Sequence, residues 1–210
     1  MTQTLAIAAA AAALVVEEGM EYGAAKRKAG KAVLSGRGGG RGGGRSGRGS
    51  NSRPELPSNE EVEAAVREHI ALFMGAEQAQ QLQTLREVAL AWMQRLAPFR
   101  PHLGGAVWRG TATRLSAVYL DLYCDDTKAA EIHLINEGVD YDSAELPGHG
   151  REPRSVLTVA SPCAAWREPV TVHLILNDLD DLRGALKPDA QGQSWRGDLA
   201  ALQRRMAGRT

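Results

Sequence analysis

Gly105-Ala-Val-Trp-Arg-Gly-Thr-Ala-Thr-Arg-Leu-Ser-Ala-Val-Tyr-Leu-Asp-Leu122 is the stretch on which the reading of the fold turns. Two glycines, Gly105 and Gly110, punctuate it, and short apolar runs stand on either side of the second one. Ala106 to Arg109 and Ala117 to Tyr123 read as strands, because such runs are rich in β-branched and aromatic residues and too short for a helix of ordinary length. Residues two apart in a strand share a face, so positions 117, 119 and 121 project together.

Downstream, Val156 to Ala160 and Val170 to Leu176 have the same strand texture. Thr127 to Asn136 reads as a helix, with Asp126 as its N-cap and Gly138 just past its end. Asp198 to Met206 closes the chain as another, with Leu199, Leu202 and Met206 on one side. Asp178, Asp180 and Asp181 follow the last strand and suit a helix N-terminus. Gly148, His149 and Gly150 belong to a loop. Upstream, Ser58 and Glu61 have capping-box spacing. The helix they start carries Val62, Val66, Ile70 and Phe73 on one face. A second helix, after Gly75, presents Leu82, Leu85, Ala89, Trp92 and Leu96, and Pro98 and Pro101 end the helical run. The class is α/β (α+β): a small mixed sheet flanked by helices, with Trp92, Trp108 and Trp166 in its core. Residues 58–210 are expected to form the main domain, with its core at 103–176 and two amphipathic helices leading into it.

Residues 1–35 are alanine-rich and punctuated by Gly19, as two short helices would be. The opening resembles the first helix of small helix-turn-helix DNA-binding domains, and a helical hairpin docked on the main domain explains the same pattern. Residues 36–57 begin Gly-Arg-Gly-Gly-Gly-Arg and have no side chains from which to build a core, so a flexible linker is expected. With 210 residues, 43% of them hydrophobic, the chain has enough for one main core plus appendages.

The formal net charge is zero, but the signs are segregated. From Gly23 to Arg53 lie nine basic residues, Lys26, Arg27, Lys28, Lys31, Arg37, Arg41, Arg45, Arg48 and Arg53, and no acidic one. Taking those nine from the 25 basic residues leaves 16 against 25 acidic ones elsewhere. A basic arm on an acidic body suits a polyanion, and the arginine spacing resembles RGG tracts of RNA-binding proteins; a solvated linker would have the same composition. Cys124 and Cys163 are too few for a disulfide framework, which suits a reducing compartment. The apolar run Leu5–Val16 is about a dozen residues long where a membrane span needs roughly twenty, and it lacks a basic flank on its N-terminal side. A cytoplasmic protein without a membrane partner is expected.

Gly105, Arg109, Gly110, Ala112, Ser116, Val118 and Leu120 fall, without an insertion, at the spacing of the signature of the nucleotidyltransferase superfamily, the DNA polymerase beta-like fold, which the quoted stretch resembles. The resemblance covers about a third of the chain. It implies a glycine turn that cradles nucleotide phosphates, and three strand carboxylates that hold two magnesium ions for in-line nucleotidyl transfer. Here Ala106 replaces the serine after the glycine, Ala117 and Tyr119 replace the two strand aspartates, and His173 falls where the third would stand.

The resemblance therefore implies the fold without the usual chemistry: a non-catalytic module that binds a nucleotide or phosphorylated ligand through Gly105, Ala106, Arg109, Gly110, Thr111 and Ser116, with no cofactor. For Arg109, a surface ion pair is the alternative. One rival reading is an active nucleotidyltransferase with a relocated metal site at Asp121 and His173, together with Asp125. Because histidine favours transition metals, that site would take manganese or zinc rather than magnesium. Against it stands a salt-bridged Asp121 and a half-buried, satisfied His173. The other rival is an RNA- or DNA-binding protein that works through the basic residues Lys26 to Arg48.

Overall fold

The computed structural model describes residues 2–37, 56–146, 153–188, 192 and 194–208. The chain divides into two compact units, Met1–Glu77 and Gln78–Thr210.

The first unit is helical. α1 (Gln3–Glu18) is capped by the Thr2 side chain, which accepts from the Leu5 amide, and it ends at Gly19, whose φ of 66° is one that glycine adopts without a steric penalty. Alanine keeps its buried side slim: Ile7, Ala8, Ala11, Ala12 and Val16 are all buried. α2 (Tyr22–Arg37) meets this stripe with Ala25 and Ala29, and α3 (Asn59–Phe73) with Val62, Val66 and Ile70. The capping box at the start of α3 forms in full, with Ser58 Oγ accepting from the Glu61 amide and a Glu61 carboxylate oxygen accepting from the Ser58 amide. α3 falls in the first unit, where Val62, Val66 and Ile70 are buried, whereas Phe73, expected on the same face, is exposed. α2 covers positions 36 and 37, two residues into the expected linker, and the rest of the Gly/Arg tract up to position 55 lies outside the described residues.

α4 (Gly75–Arg95) starts in the first unit and continues into the second, where a 3-10 turn, Ala97–Phe99, follows it. The second unit is built on a five-stranded mixed sheet of order β1-β2-β5-β4-β3. Its strands are β1 (His102–Gly104), β2 (Val118–Cys124), β3 (Asp142–Leu146), β4 (Arg154–Ser161) and β5 (Val170–Asp178). β2 and β5 run parallel in the centre, and the other pairs are antiparallel. α5 (Gly105–Arg109) lies between β1 and β2, α6 (Thr127–Asn136) follows β2, a 3-10 turn (Leu179–Asp181) and α7 (Leu182–Ala185) follow β5, and α8 (Leu199–Met206) comes last.

The alternation of a strand sorts the two faces. Val118, Leu120 and Leu122 of β2, Leu157 and Val159 of β4, and Val172, Leu174 and Leu176 of β5 share one core with Leu85, Ala89, Trp92, Met93 and Leu96 of α4, Leu134 of α6 and Leu202 of α8. Trp108 is in that core, with Trp166 packed at its margin. Trp92 keeps its polar edge satisfied by donating from Nε1 to Ser161 Oγ at 2.8 Å. The opposite face of the sheet carries Tyr119, Asp121, His173 and Thr158.

The expected strand at Ala106 to Arg109 is α5 instead. Gly105, at φ 65°, turns the chain sharply out of β1, and the next four residues coil so that Val107 and Trp108, adjacent in sequence, are both buried, which a strand of alternating faces would not allow. Among the described residues, no helix is long and apolar enough to cross a membrane.

Candidate functional site

The register of the sheet sets out the face opposite the core. Gly104 pairs with Tyr119, Tyr119 with His173, and His173 with Thr158, so one row of residues crosses four strands. The rings of Tyr119 and His173 lie 4.9 Å apart, tilted by 30°. His173 Nδ1 is 3.0 Å from Thr158 Oγ1. Gly105 stands against this row. A Cβ there would come within 3.2 Å of the Tyr119 ring, so both the space and the positive φ require glycine.

The neighbouring row is His102, Asp121, Ile175 and Val156. Asp121 is buried in it, and its charge is compensated: Arg196 Nε donates to Oδ2 at 2.7 Å, and Asn177 Nδ2 donates to Oδ1 at 3.3 Å. Desolvating a carboxylate is costly unless a cation and hydrogen bonds replace the water, which is what Arg196 and Asn177 do. Asp121 and His173 lie in different rows and serve different partners, Arg196 and Thr158. Tyr123, two residues beyond Asp121, has its phenol pushed up to about 12, chiefly by burial and then by the Asp121 charge, with Arg196 and Arg154 pulling the other way.

The residues expected to form a ligand turn are dispersed. Gly105 and Ala106 open α5, and Arg109 closes it with its guanidinium over the Trp195 ring at 5.2 Å. Gly110 accepts at its carbonyl from Gln78 Nε2, as Ala112 does at 2.7 Å. Thr111 is buried, and Ser116 Oγ accepts from the Thr113 amide at 3.0 Å. Gly110, Thr111 and Ser116 thus belong to a loop stitched to the start of α4, and Gly105 is the member placed beside Tyr119.

Asp125 lines a cavity of about 770 Å³ at the C-terminal ends of β2 and β5, together with Asp126, Asp178, Asp180, Asp181 and Arg154. Two of its carboxylates are spent locally: Asp126 caps α6 by accepting from the Lys128 amide, and Asp178 accepts from the Asp180 amide. Burial, and after it Asp126, Asp125 and Asp178, push the Cys124 thiol up. Among the described residues, no group of three His, Cys, Asp or Glu side chains is close enough to hold a metal ion.

Of the basic arm, Lys26 Nζ donates to Asn59 Oδ1 at 2.7 Å and Lys28 pairs with Glu18 at 2.5 Å. Arg27 and Lys31 are exposed one turn apart on α2, which ends at Arg37. Arg41, Arg45, Arg48 and Arg53 lie outside the described residues, as do Gly148, His149 and Gly150.

Sequence reasoning missed Arg196 and Thr158. The local signal for Arg196 is the Trp195-Arg196-Gly197 triplet ahead of the Asp198 cap. Leu103 and Gly197 exchange backbone hydrogen bonds of 2.8 and 3.0 Å, which seat that triplet beside β1.

No protein-family model matches the chain, and no curated protein does. Solved structures show a partial likeness. The Cid1 poly(U) polymerase with MgGTP bound is 14% identical at a TM-score of 0.33, over 46% of this chain and 32% of that one. A cytoplasmic RNA terminal U-transferase is 19% identical at 0.33, over 47% and 31%. Cid1 in complex with the UTP analog UMPNPP is 14% identical at 0.34, over 57% and 37%. The chain spans about a third of the length of these proteins, and an overlap of this quality carries no argument about chemistry.

Proposed function

We propose that the sheet unit is a nucleotidyltransferase-type scaffold that binds a nucleotide or another phosphorylated ligand on the face opposite its core and does not transfer it. The observation that carries this reading is the Tyr119–His173 ring pair, which occupies two of the three positions where the resemblance asks for metal-binding carboxylates.

The residues present do not fit two magnesium ions. Alanine offers no ligand, a phenol protonated at neutral pH is a poor one, and histidine is too soft a donor for a hard cation. Asp121, the carboxylate nearest in sequence, is engaged by Arg196. What Tyr119 and His173 offer instead is an aromatic shelf beside the Gly105 turn, and aromatic side chains stack on bases of any sequence. The reading needs no resident cofactor. Two free cysteines agree with a reducing, cytoplasmic setting.

The test is calorimetric titration with ATP, GTP, CTP and UTP, each in magnesium, in manganese and in EDTA. Binding unaffected by EDTA and weakened about tenfold by Tyr119→Ala is the expected result, since stacking on an aromatic side chain is worth roughly 1–3 kcal/mol per base. Binding that requires metal would return the site to Asp121 as an active centre. No binding of any nucleotide would overturn the reading.

A further inference from the structure

A second cavity, of about 310 Å³, opens at the β1 edge of the sheet and is lined by neither Tyr119 nor His173. Met93, Ala97, Pro101, Leu182 and Leu199 give it apolar walls, and Arg100 and Asp198 complete its lining with His102. Its volume is at the small end of the range for small-molecule sites, roughly 300–1,000 Å³.

His102 is the unusual member. It is only 6% exposed, and its ring packs edge-on to Tyr123 at a centroid distance of 5.3 Å. Its Nδ1 is 2.9 Å from the carbonyl oxygen of Arg100. A carbonyl can only accept, so Nδ1 carries the proton, and in the neutral ring Nε2 is left as an acceptor. That tautomer is imposed by the backbone. Arg100 is the one non-glycine residue with positive φ among the described residues, at φ 47° and ψ 58°, and this turn carries its carbonyl back to the ring two residues on. Among the described residues no protein group bonds to Nε2, and that nitrogen is not sealed from solvent, so a ligand that enters the cavity can reach it.

We propose that this cavity binds a small, neutral, largely apolar molecule with a single hydrogen-bond donor, of the size and kind of a phenol, whose hydroxyl donates to His102 Nε2. The apolar walls take the ring, and the oriented acceptor sets the specificity. A ligand that covers this acceptor without offering a donor takes it from water without return, so the isostere lacking the hydroxyl is rejected.

The whole 210-residue chain is titrated with 4-methylphenol and with toluene, followed by NMR. The expected result is that 4-methylphenol binds at least fivefold tighter than toluene, and that His102→Phe, which keeps a buried ring without the nitrogen, brings the two to equal affinity. Leu182→Phe, which narrows the cavity, weakens both. Should His102→Phe fail to fold, the ¹⁵N shift of His102 Nε2 in the unaltered protein serves instead: it moves with 4-methylphenol and stays with toluene. Equal affinity for the two probes, no binding of either up to its solubility, or an Nε2 resonance that 4-methylphenol leaves in place would each overturn the proposal.

Discussion

Arg196 Nε lies 2.7 Å from Asp121 Oδ2, joining residues 75 positions apart, and the carboxylate has 5% of its side chain exposed against 32% for the arginine. The pair ties the segment before α8 to the central strand β2. Removing the arginine leaves a buried carboxylate with only Asn177 for company, so Arg196→Met is expected to destabilise the second unit by about 2–3 kcal/mol, below the full figure for a wholly buried pair because the arginine keeps contact with water. Asp121→Asn, which keeps the shape, costs less, and Asp121→Leu with Arg196→Met recovers most of the loss. Urea denaturation of the three variants checks this, and a double variant no better than Arg196→Met alone would show that the charge pair is not what matters there.

Gly197 is buried next to Trp108, and a methyl group on it would overlap the six-membered ring of the indole. The indole is held on several sides: its Nε1 donates to the Ser194 carbonyl at 2.8 Å, and the Arg205 guanidinium lies 4.0 Å from its centroid. Neither ring nor backbone can yield cheaply. Gly197→Ala is expected to cost about 3 kcal/mol or more, the upper range for overpacking a core. Thermal unfolding measures it, and an alanine variant that melts within two or three degrees of the parent, an interval worth about 1 kcal/mol at most in a domain of this size, would refute the close packing.

The parts of this fold that were legible in the sequence are those whose cause is local. β2, β4 and β5 announce themselves by runs of valine, leucine and isoleucine, α6 by an aspartate cap that forms as expected, with Asp126 accepting from the Lys128 amide, and α8 by the spacing of Leu199, Leu202 and Met206, with Asp198 as its cap rather than its first residue. β1 was missed because three residues, one of them glycine, hold no pattern. β3 was missed because all of Asp142 to Leu146 is exposed at the sheet edge, so nothing selects strand-type side chains. α5 was misread because four residues are too few for a period. In the candidate site, Asp121 could be singled out from the strand spacing and His173 from the resemblance, whereas Arg196 reaches Asp121 through tertiary structure alone.

The raised phenol of Tyr123 has a consequence at high pH. Below pH 10 the phenol is protonated in both folded and unfolded chains, and its contribution is at its full value. Between 10 and about 12 the unfolded chain releases the proton while the folded one retains it, so stability falls as pH rises through that window. The loss by pH 12 is on the order of 2 kcal/mol from this residue. Tyr123→Phe removes the dependence, and the parent's urea midpoint is expected to fall relative to the variant's from pH 9 to pH 11.5. A constant difference would mean that Tyr123 titrates alike in both states.

The proposed loss of the metal site can be tested by rebuilding it. Position 117 immediately precedes β2 and position 119 lies in it, two residues on, and the parallel register sets Tyr119 opposite His173 on β5. Aspartates at all three would converge on one point, as two-metal transfer requires. The variant Ala117→Asp/Tyr119→Asp/His173→Asp is expected to bind manganese at least tenfold tighter than the parent, read from the loss of the free-ion signal in electron paramagnetic resonance. Some stability is lost with the Tyr119–His173 contact, about 1 kcal/mol for an aromatic pair, so folding is checked by circular dichroism first. A folded triple variant with no gain in manganese affinity would show that this face is not the metal face of a nucleotidyltransferase, and the nucleotide-binding proposal would lose its geometric basis.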